Sequence, residues 1–224
     1  RYATDTEVPY ALAAVKSMCV SKASAHLASA IGLLKQWNGR ADIRSRGPAL
    51  YLYWIRERPA NRQLALMASQ GKVWTAEQRS AALESLGRAA DELRKDHGRI
   101  DIPWGNVQRA HRGAKSTPVA GWGYIPMKSG ARGDSVAAVM PTFGQYKEGQ
   151  IYAQGGSSYR MIVHLVPGKV ESWTILPYGD SNNPASSHFD DQMELYGQGI
   201  YKPTLFGVDQ VKKRAVSKLP LEIH

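Results

Sequence analysis

The sequence predicts an α+β fold in which helices come first and strands follow. Apolar residues recur at helical spacing through the first hundred residues, whereas residues 158–177 alternate and are rich in β-forming residues. Short mixed elements follow this second region. Because helices and strands are segregated along the chain, they favour an α+β fold over an alternating α/β fold with a parallel sheet.

Two helices are predicted between residues 23 and 59. In residues 23–39 apolar side chains recur at helical spacing, and Gly39 is the expected C-cap. Residues 46–59, RGPALYLYWIRERP, hold a second helix. Pro48 lies near its start and Pro59 past its expected end, positions that proline tolerates because it lacks an N–H donor.

The helix signal is clearest in residues 75–98. Thr75 and Gln78 form a capping-box pattern, and Gly98 marks the end of the helix. The apolar stripe between them comprises Leu83, Leu86, Ala90 and Leu93. An earlier stretch, VPYALAAVKSMCV, contains Lys16 and lacks the flanks of a signal peptide, so it is predicted to be a core helix.

The C-terminal half changes character. Glycine and proline become frequent after residue 99, and residues 121–135 are typical of a loop. A hairpin, a short helix, an extended segment, and a short helix with a terminal strand are predicted at residues 158–179, 190–199, 201–206 and 208–224. The chain is therefore divided into a mainly helical segment, 1–98, and a loop-rich β-hairpin segment, 99–224, of the same domain.

Composition narrows the class of protein. With 224 residues and 43% apolar residues the chain is long and apolar enough for a sizeable core, in which most of the six tryptophans are expected. A single cysteine, Cys19, excludes an internal disulfide and a multi-cysteine zinc site. No apolar run is long enough to predict a membrane span. Since the chain starts at Arg1 rather than methionine, we expect a processed piece or a fragment.

The net charge of +10 permits binding to nucleic acid. The basic residues are scattered, however, with VKKR at residues 211–214 as their main cluster, and the sequence contains no recognised nucleic-acid motif. We therefore predict that nucleic acid is not a partner.

Residues 178–192, YGDSNNPASSHFDDQ, gather the residue types of several kinds of site. A serine with His188 and Asp190 or Asp191 would resemble a hydrolase triad, and the same histidine and aspartates could bind a cation. Both hypotheses are weak. Neighbours in a loop point in different directions, no Gly-x-Ser-x-Gly elbow is present, and three donors without a second cluster rarely hold a metal.

A structural role for this stretch is the favoured interpretation. Asn183-Pro184 is expected to start a turn. Asp190 or Ser187 is expected to cap a helix that begins near Asp191. The side chains of His188 and Gln192 would then tie the loop to the sheet. The structural signature comprises Asn183, Pro184, His188, Asp191 and Gln192.

Three segments resemble one known family. Residues 30–57 resemble the late helical region of the penicillin acylase family of N-terminal nucleophile hydrolases, which includes acyl-homoserine lactone and lipopeptide acylases. Residues 98–113, GRIDIPWGNVQRAHRG, are similar to its Trp-Gly-x-Val/Leu-x-Arg segment. Residues 155–206 resemble its C-terminal signature, which contains the loop at 178–192. The three segments occur in the family's order.

The resemblance implies an amide-hydrolysing acylase with a four-layer αββα sandwich. Its nucleophile is the N-terminal serine of a chain released by self-cleavage of a precursor, so this chain would be the C-terminal part of the nucleophile-bearing β chain. The implied partners are the rest of the β chain, the α chain and a small acyl-amide substrate. No cofactor is expected in this chain, calcium would bind elsewhere in the full enzyme, and the protein would be periplasmic or secreted.

His164, within the predicted strand MIVHLV, is the other candidate residue. Alternation places it on the same face as Ile162 and Val166, so we expect a core histidine whose hydrogen bonds are satisfied. Some acylases of the family are thought to use a glutamate on this late strand to orient the histidine beside the nucleophile. The position that matches this glutamate is His164, which departs from the family's pattern, and a supporting role is the alternative. A non-catalytic binding or structural module is the alternative for the chain as a whole.

Overall fold

A computed structural model gives the structure of residues 7–18, 25–123 and 142–217. The chain forms two compact units, Arg1–Ser157 and Ser158–His224. Helices precede most strands along the chain, and both sheets contain antiparallel pairs, which confirms an α+β fold. No helix in the described ranges combines the length and apolar character needed to cross a membrane.

Six helices are described in the first unit. They are α1 (Glu7–Met18), α2 (Ala25–Gln36), α3 (Pro48–Glu57), α4 (Pro59–Ser69), α5 (Ala76–His97) and α6 (Trp104–Val107). The predicted core helix near the N-terminus is confirmed as α1. The C-cap predicted at Gly39 is wrong, because α2 already ends at Gln36 and Gly39 has a positive φ in the loop that follows.

Helix α3 is the centre of the core. Every residue from Pro48 to Arg56 is buried, and the helix packs against α4 and α5. A helix that is apolar on all sides needs neighbours on all sides. Its polar atoms find partners there: the indole N–H of Trp54 donates to the carbonyl of Ala82 at 3.0 Å, and the Asn61 amide donates to the carbonyl of Trp54 at 2.6 Å.

Helix α4 begins at a proline, Pro59. Arg58 is extended, and Pro59 lies past the end of α3 as predicted, but it also starts α4, a helix that was not predicted from the sequence. Proline at the first helical position loses no hydrogen bond, because that N–H has no partner within the helix. The caps of α5 are confirmed: Thr75 and Gln78 form the capping box, and Gly98 ends the helix with a left-handed φ of 76°.

The first unit also contains a four-stranded sheet that the sequence did not predict. Its strands are β1 (Gln108–Arg112), β2 (Lys115–Pro118), β3 (Thr142–Lys147) and β4 (Gln150–Gly156), in the order β2-β1-β4-β3. Strands β1 and β4 pair in parallel, and the other pairs are antiparallel. Five of the six tryptophans are buried in this unit, which confirms their predicted place: Trp37, Trp54, Trp74, Trp104 and Trp122.

A hydrogen-bonded tyrosine pair joins the helices to this sheet. The hydroxyl groups of Tyr53 on α3 and Tyr146 on β3 bond to each other, and both reach Asp96 Oδ2, at 2.7 and 3.0 Å. Burial raises the pKa of both phenols, so both stay protonated and can donate. The guanidinium of Arg56 lies 3.4 Å from the centre of the Tyr146 ring.

The second unit is built on a three-stranded antiparallel sheet. Its elements are β5 (Arg160–Val166), β6 (Lys169–Ile175), α7 (Met193–Gln198), β7 (Lys202–Thr204) and α8 (Val208–Arg214), with strand order β5-β6-β7. The predicted hairpin is confirmed, and Gly168 at its turn has a φ of 73°. The terminal strand predicted after α8 falls largely beyond residue 217, outside the described residues.

Strand β5 exposes apolar side chains on both faces. Met161, Val163 and Leu165 lie on one face and Ile162 on the other, and Leu165 is 74% exposed. A continuous apolar run is typical of a strand that is buried on both sides. Strand β5 also has only one hydrogen-bonded neighbour, β6, among the described strands.

Candidate functional site

The segment between β6 and α7 contains the five signature residues. It is anchored by Gln192, whose side chain is buried. The main-chain N–H of Leu176 donates to Gln192 Oε1 at 3.1 Å, and the N–H of Gln192 donates to the carbonyl of Tyr178 at 2.7 Å. Gln192 thereby fixes the start of α7 against the chain that leaves β6.

Asn183 and Pro184 form a turn. The N–H of Ala185 donates to the side-chain oxygen of Asn183 at 3.0 Å, and the N–H of Ser186 donates to the Asn183 carbonyl at 3.0 Å. Asparagine favours such turns because its short side chain can replace a backbone acceptor. The turn thus lies at the Asn183-Pro184 pair, where the sequence predicts it.

Gly179 allows two parts of the loop to touch. The N–H of Ser181 donates to the carbonyl of His188 at 3.1 Å. A Cβ atom at position 179 would lie 2.0 Å from that carbonyl oxygen and 2.7 Å from Asp191 Oδ1. Because no side chain can approach a backbone oxygen so closely, the loop requires glycine here.

His188 and Asp191 form an exposed ion pair within the loop. Nδ1 of His188 lies 2.9 Å from Oδ2 of Asp191, and the two side chains are 64% and 37% exposed. The hydrogen bond to Asp191, followed by the negative charges of Asp191 and Asp180, raises the pKa of His188. The expected bond from His188 to the sheet is therefore replaced by a bond inside the loop.

The loop shows one of the two contacts that a hydrolase triad requires. His188 meets a carboxylate, but the Ser186 hydroxyl oxygen accepts the main-chain N–H of His188 at 3.1 Å and so serves the turn. A general base must contact both nucleophile and carboxylate, and the described bonds of the His188 ring run to Asp191. The predicted cap by Asp190 or Ser187 is wrong, because Gln192 is the N-cap of α7 and no side chain bonds there.

His164 lies on the surface of β5, contrary to the core position that alternation suggested. Its side chain is 59% exposed, and Nδ1 lies 3.1 Å from Oε2 of Glu171 on β6. Lys169 also bonds to Glu171 and, with the hydrogen bond from His164, lowers the pKa of that carboxyl group. His164 does share a face with Ile162, as their cross-strand partners show.

Glu171 was not singled out in the sequence, although a signal was present. A two-residue Pro-Gly turn between Val166 and Lys169 fixes the register of the hairpin. In that register His164 lies opposite Glu171. The structure thus supplies a carboxylate from β6 beside the strand on which the family resemblance suggests one. The supporting role of His164 stays a prediction.

A metal site would need several donors in one place. Within the described ranges, no group of three or more histidine, cysteine, aspartate or glutamate side chains could hold a metal ion. Of the neighbouring residues His188, Asp190 and Asp191, the side chains of His188 and Asp191 are in contact.

We expect the His188–Asp191 pair to make stability depend on pH. Folding raises the pKa of His188 above its ordinary value of about 6.5, so the pair stabilises the fold fully below that pH. The stabilisation is lost as pH rises through the higher, folded-state pKa. Thermal unfolding of the wild-type protein and His188→Gln should therefore differ most near pH 5.5, with the wild type more stable, and converge in alkaline solution. A constant difference between pH 5 and 9 would contradict the assignment.

The chain matches one family model and several characterised proteins. The model described as penicillin amidase covers residues 1–213. The acyl-homoserine lactone acylase PvdQ of Pseudomonas syringae pv. tomato is 26% identical over 200 residues, which cover 84% of this chain and 25% of that protein. The PvdQ proteins of Pseudomonas savastanoi pv. phaseolicola and Pseudomonas syringae pv. syringae are also 26% identical, and each is covered to 24%. The chain thus spans about a quarter of the length of these relatives.

Proposed function

Because the chain belongs to the penicillin amidase family, we propose that it is the C-terminal portion of an acylase that hydrolyses the amide bond between an acyl group and an amine. The observation that carries the proposal is the family match, which extends from residue 1 to residue 213. Family and relatives support a hydrolase in general. The names of the relatives make acyl-homoserine lactones the first substrates to test, ahead of lipopeptides and penicillins.

The nucleophile of the proposed reaction is an N-terminal serine outside this chain. Its hydroxyl attacks the amide carbonyl while its own α-amino group accepts the proton and passes it to the amine, which leaves. Water then attacks the acyl-enzyme, which releases the acid and restores the serine hydroxyl. The oxyanion would be held by hydrogen-bond donors that also lie outside this chain. The geometry of the 178–192 loop supports this division, since the His188 ring bonds to Asp191 and the Ser186 hydroxyl is engaged in a turn.

The part proposed for this chain is to complete the scaffold. Strand β5 carries apolar side chains on both faces, as a strand covered on both sides would, and it has one hydrogen-bonded neighbour among the described strands. We propose that the remainder of the β chain and the α chain of a processed precursor cover it within the four-layer αββα sandwich. His164, paired with Glu171, would play a supporting role at most.

Cofactors and location belong to the same proposal. The reaction needs no organic cofactor. We propose that any calcium of the full enzyme binds outside this chain, as the family resemblance implies. We propose a periplasmic or secreted enzyme that acts on a small acyl-amide substrate and has no nucleic-acid partner.

The exposed strand also favours a second candidate function. A sheet edge with apolar faces is a ready surface for another polypeptide, so the chain could be a non-catalytic binding module. The two candidates differ in what precedes residue 1: the acylase requires the nucleophile region, and a module does not.

Trapping the acyl-enzyme tests the proposal. The full-length gene product is mixed with an acyl-homoserine lactone, quenched in acid and digested for mass spectrometry. We expect the mass of the acyl group on a serine at a processed N-terminus outside residues 1–224, and none on peptides that contain Ser181, Ser186 or Ser187. Acylation of one of these three serines would overturn the proposal. Absence of acylation from a folded product, with several acyl chain lengths, would favour the binding module.

A further inference from the structure

A groove runs along β6 in the second unit. Its walls are residues 169–173, residues 203–205 and three side chains of α8, namely Gln210, Lys213 and Arg214. Its volume is about 330 Å³. Sites for small molecules begin at about 300 Å³, so the groove has room for a small organic ligand.

The groove carries positive charge. Lys213 and Arg214 have no ion-pair partner in the described part of the chain, whereas Lys169 is bonded to Glu171 and the two compensate each other. Two uncompensated cations on the α8 wall of the groove attract an anion. Ammonium and guanidinium groups form strong, charge-assisted hydrogen bonds with carboxylates and phosphates.

A buried hydroxyl provides an independent sign of a missing ligand atom. Ser172 lines the groove and is only 3% exposed. Its Oγ has no hydrogen-bond partner among the residues that the structure describes. Buried hydroxyl groups are normally satisfied, because losing water without gaining a partner costs free energy. A ligand oxygen in the groove would be such a partner.

The remaining walls are apolar. Val170, Trp173 and Leu205 line the groove beside the charged residues. From the paired cations, the unsatisfied hydroxyl and this apolar lining, we propose that the groove binds an organic carboxylate that has an apolar body. The carboxylate meets Lys213 and Arg214, and the body lies along Leu205 and along Val170, which shares a face of β6 with Ser172. The proposed acylase would release acids of this class, but binding needs no hydrolysis, so the two proposals fail separately.

Photolabelling locates the site independently of any catalytic pocket. The full-length gene product is irradiated with octanoate that carries a diazirine, and labelled peptides are identified by mass spectrometry. We expect label on peptides from residues 169–173 or 203–214. The double variant Lys213→Gln/Arg214→Gln should lower this labelling about tenfold. Lys212→Gln removes the same kind of charge from the same helix outside the groove and should leave labelling unchanged.

Competition defines the ligand class. Unlabelled octanoate should displace the probe at a lower concentration than either of two partial mimics. Inorganic phosphate has the negative charge without an apolar body, and 1-octanol has the apolar body without a charge. Ser172→Ala should weaken labelling without affecting the label elsewhere. No residue of α8 is buried, so its variants should fold, which circular dichroism checks.

Three results would overturn the proposal: label confined to other peptides, label unchanged in the double variant, or phosphate competing as well as octanoate. A groove covered by the rest of the protein would give the first result.

Discussion

Replacing Trp54 by alanine should lower the free energy of unfolding by about 3–5 kcal/mol, the range for removing a large buried aromatic side chain. Trp54 is 0% exposed, and its ring centre lies 5.8 Å from that of Tyr51. The substitution also removes the indole N–H that donates to the Ala82 carbonyl on α5. It therefore opens a cavity at the contact between α3 and α5.

Urea unfolding followed by far-ultraviolet circular dichroism measures this loss, because it does not depend on tryptophan fluorescence. Val73→Ala is the matched control, since Val73 is 83% exposed and should change stability by less than about 0.5 kcal/mol. A loss below about 1 kcal/mol for Trp54→Ala would contradict the central place of α3 in the core.

Elements with local signals could be predicted from the sequence. Helix α5 carries its start and stop within its own residues: a capping box at Thr75 and Gln78 and a glycine at position 98. The β5–β6 hairpin is equally local, since a two-residue turn joins strands rich in β-formers. The turn at Asn183 also depends on neighbouring residues alone.

Elements that depend on distant partners could not be predicted. Strand β1, QRAHR, has no apolar alternation, and it is a strand because it pairs with β2 and, in parallel, with Ile151–Ala153 of β4. A segment of four polar residues and one alanine carries no local signal of a partner strand that lies far along the chain. Helix α4 was missed for the opposite reason, because Pro59 can either follow one helix or begin the next.

The candidate site also combines contacts that could be predicted from local sequence with contacts that could not. The spacing of His188 and Asp191 predicts that they lie close together. The hydrogen-bond partner of His188, however, depends on the folded-back loop, which requires glycine at position 179. His164 illustrates the limit of alternation. The pattern correctly gives the face that His164 shares with Ile162, but burial depends on what packs against that face. In the described structure the side chain of His164 is exposed.

An amide-hydrolysis assay tests the central claim most directly. It compares the 224-residue chain with the full-length gene product on acyl-homoserine lactones of several chain lengths and on aromatic acyl amides. We expect hydrolysis by the full product and a rate at least about a thousandfold lower from the chain alone, because removing a catalytic nucleophile has effects of this size or larger. The full product with its N-terminal nucleophile serine replaced by alanine is the control and should be as inactive. Equal activity of the chain and the full product would contradict the account, since the nucleophile would then lie within these 224 residues.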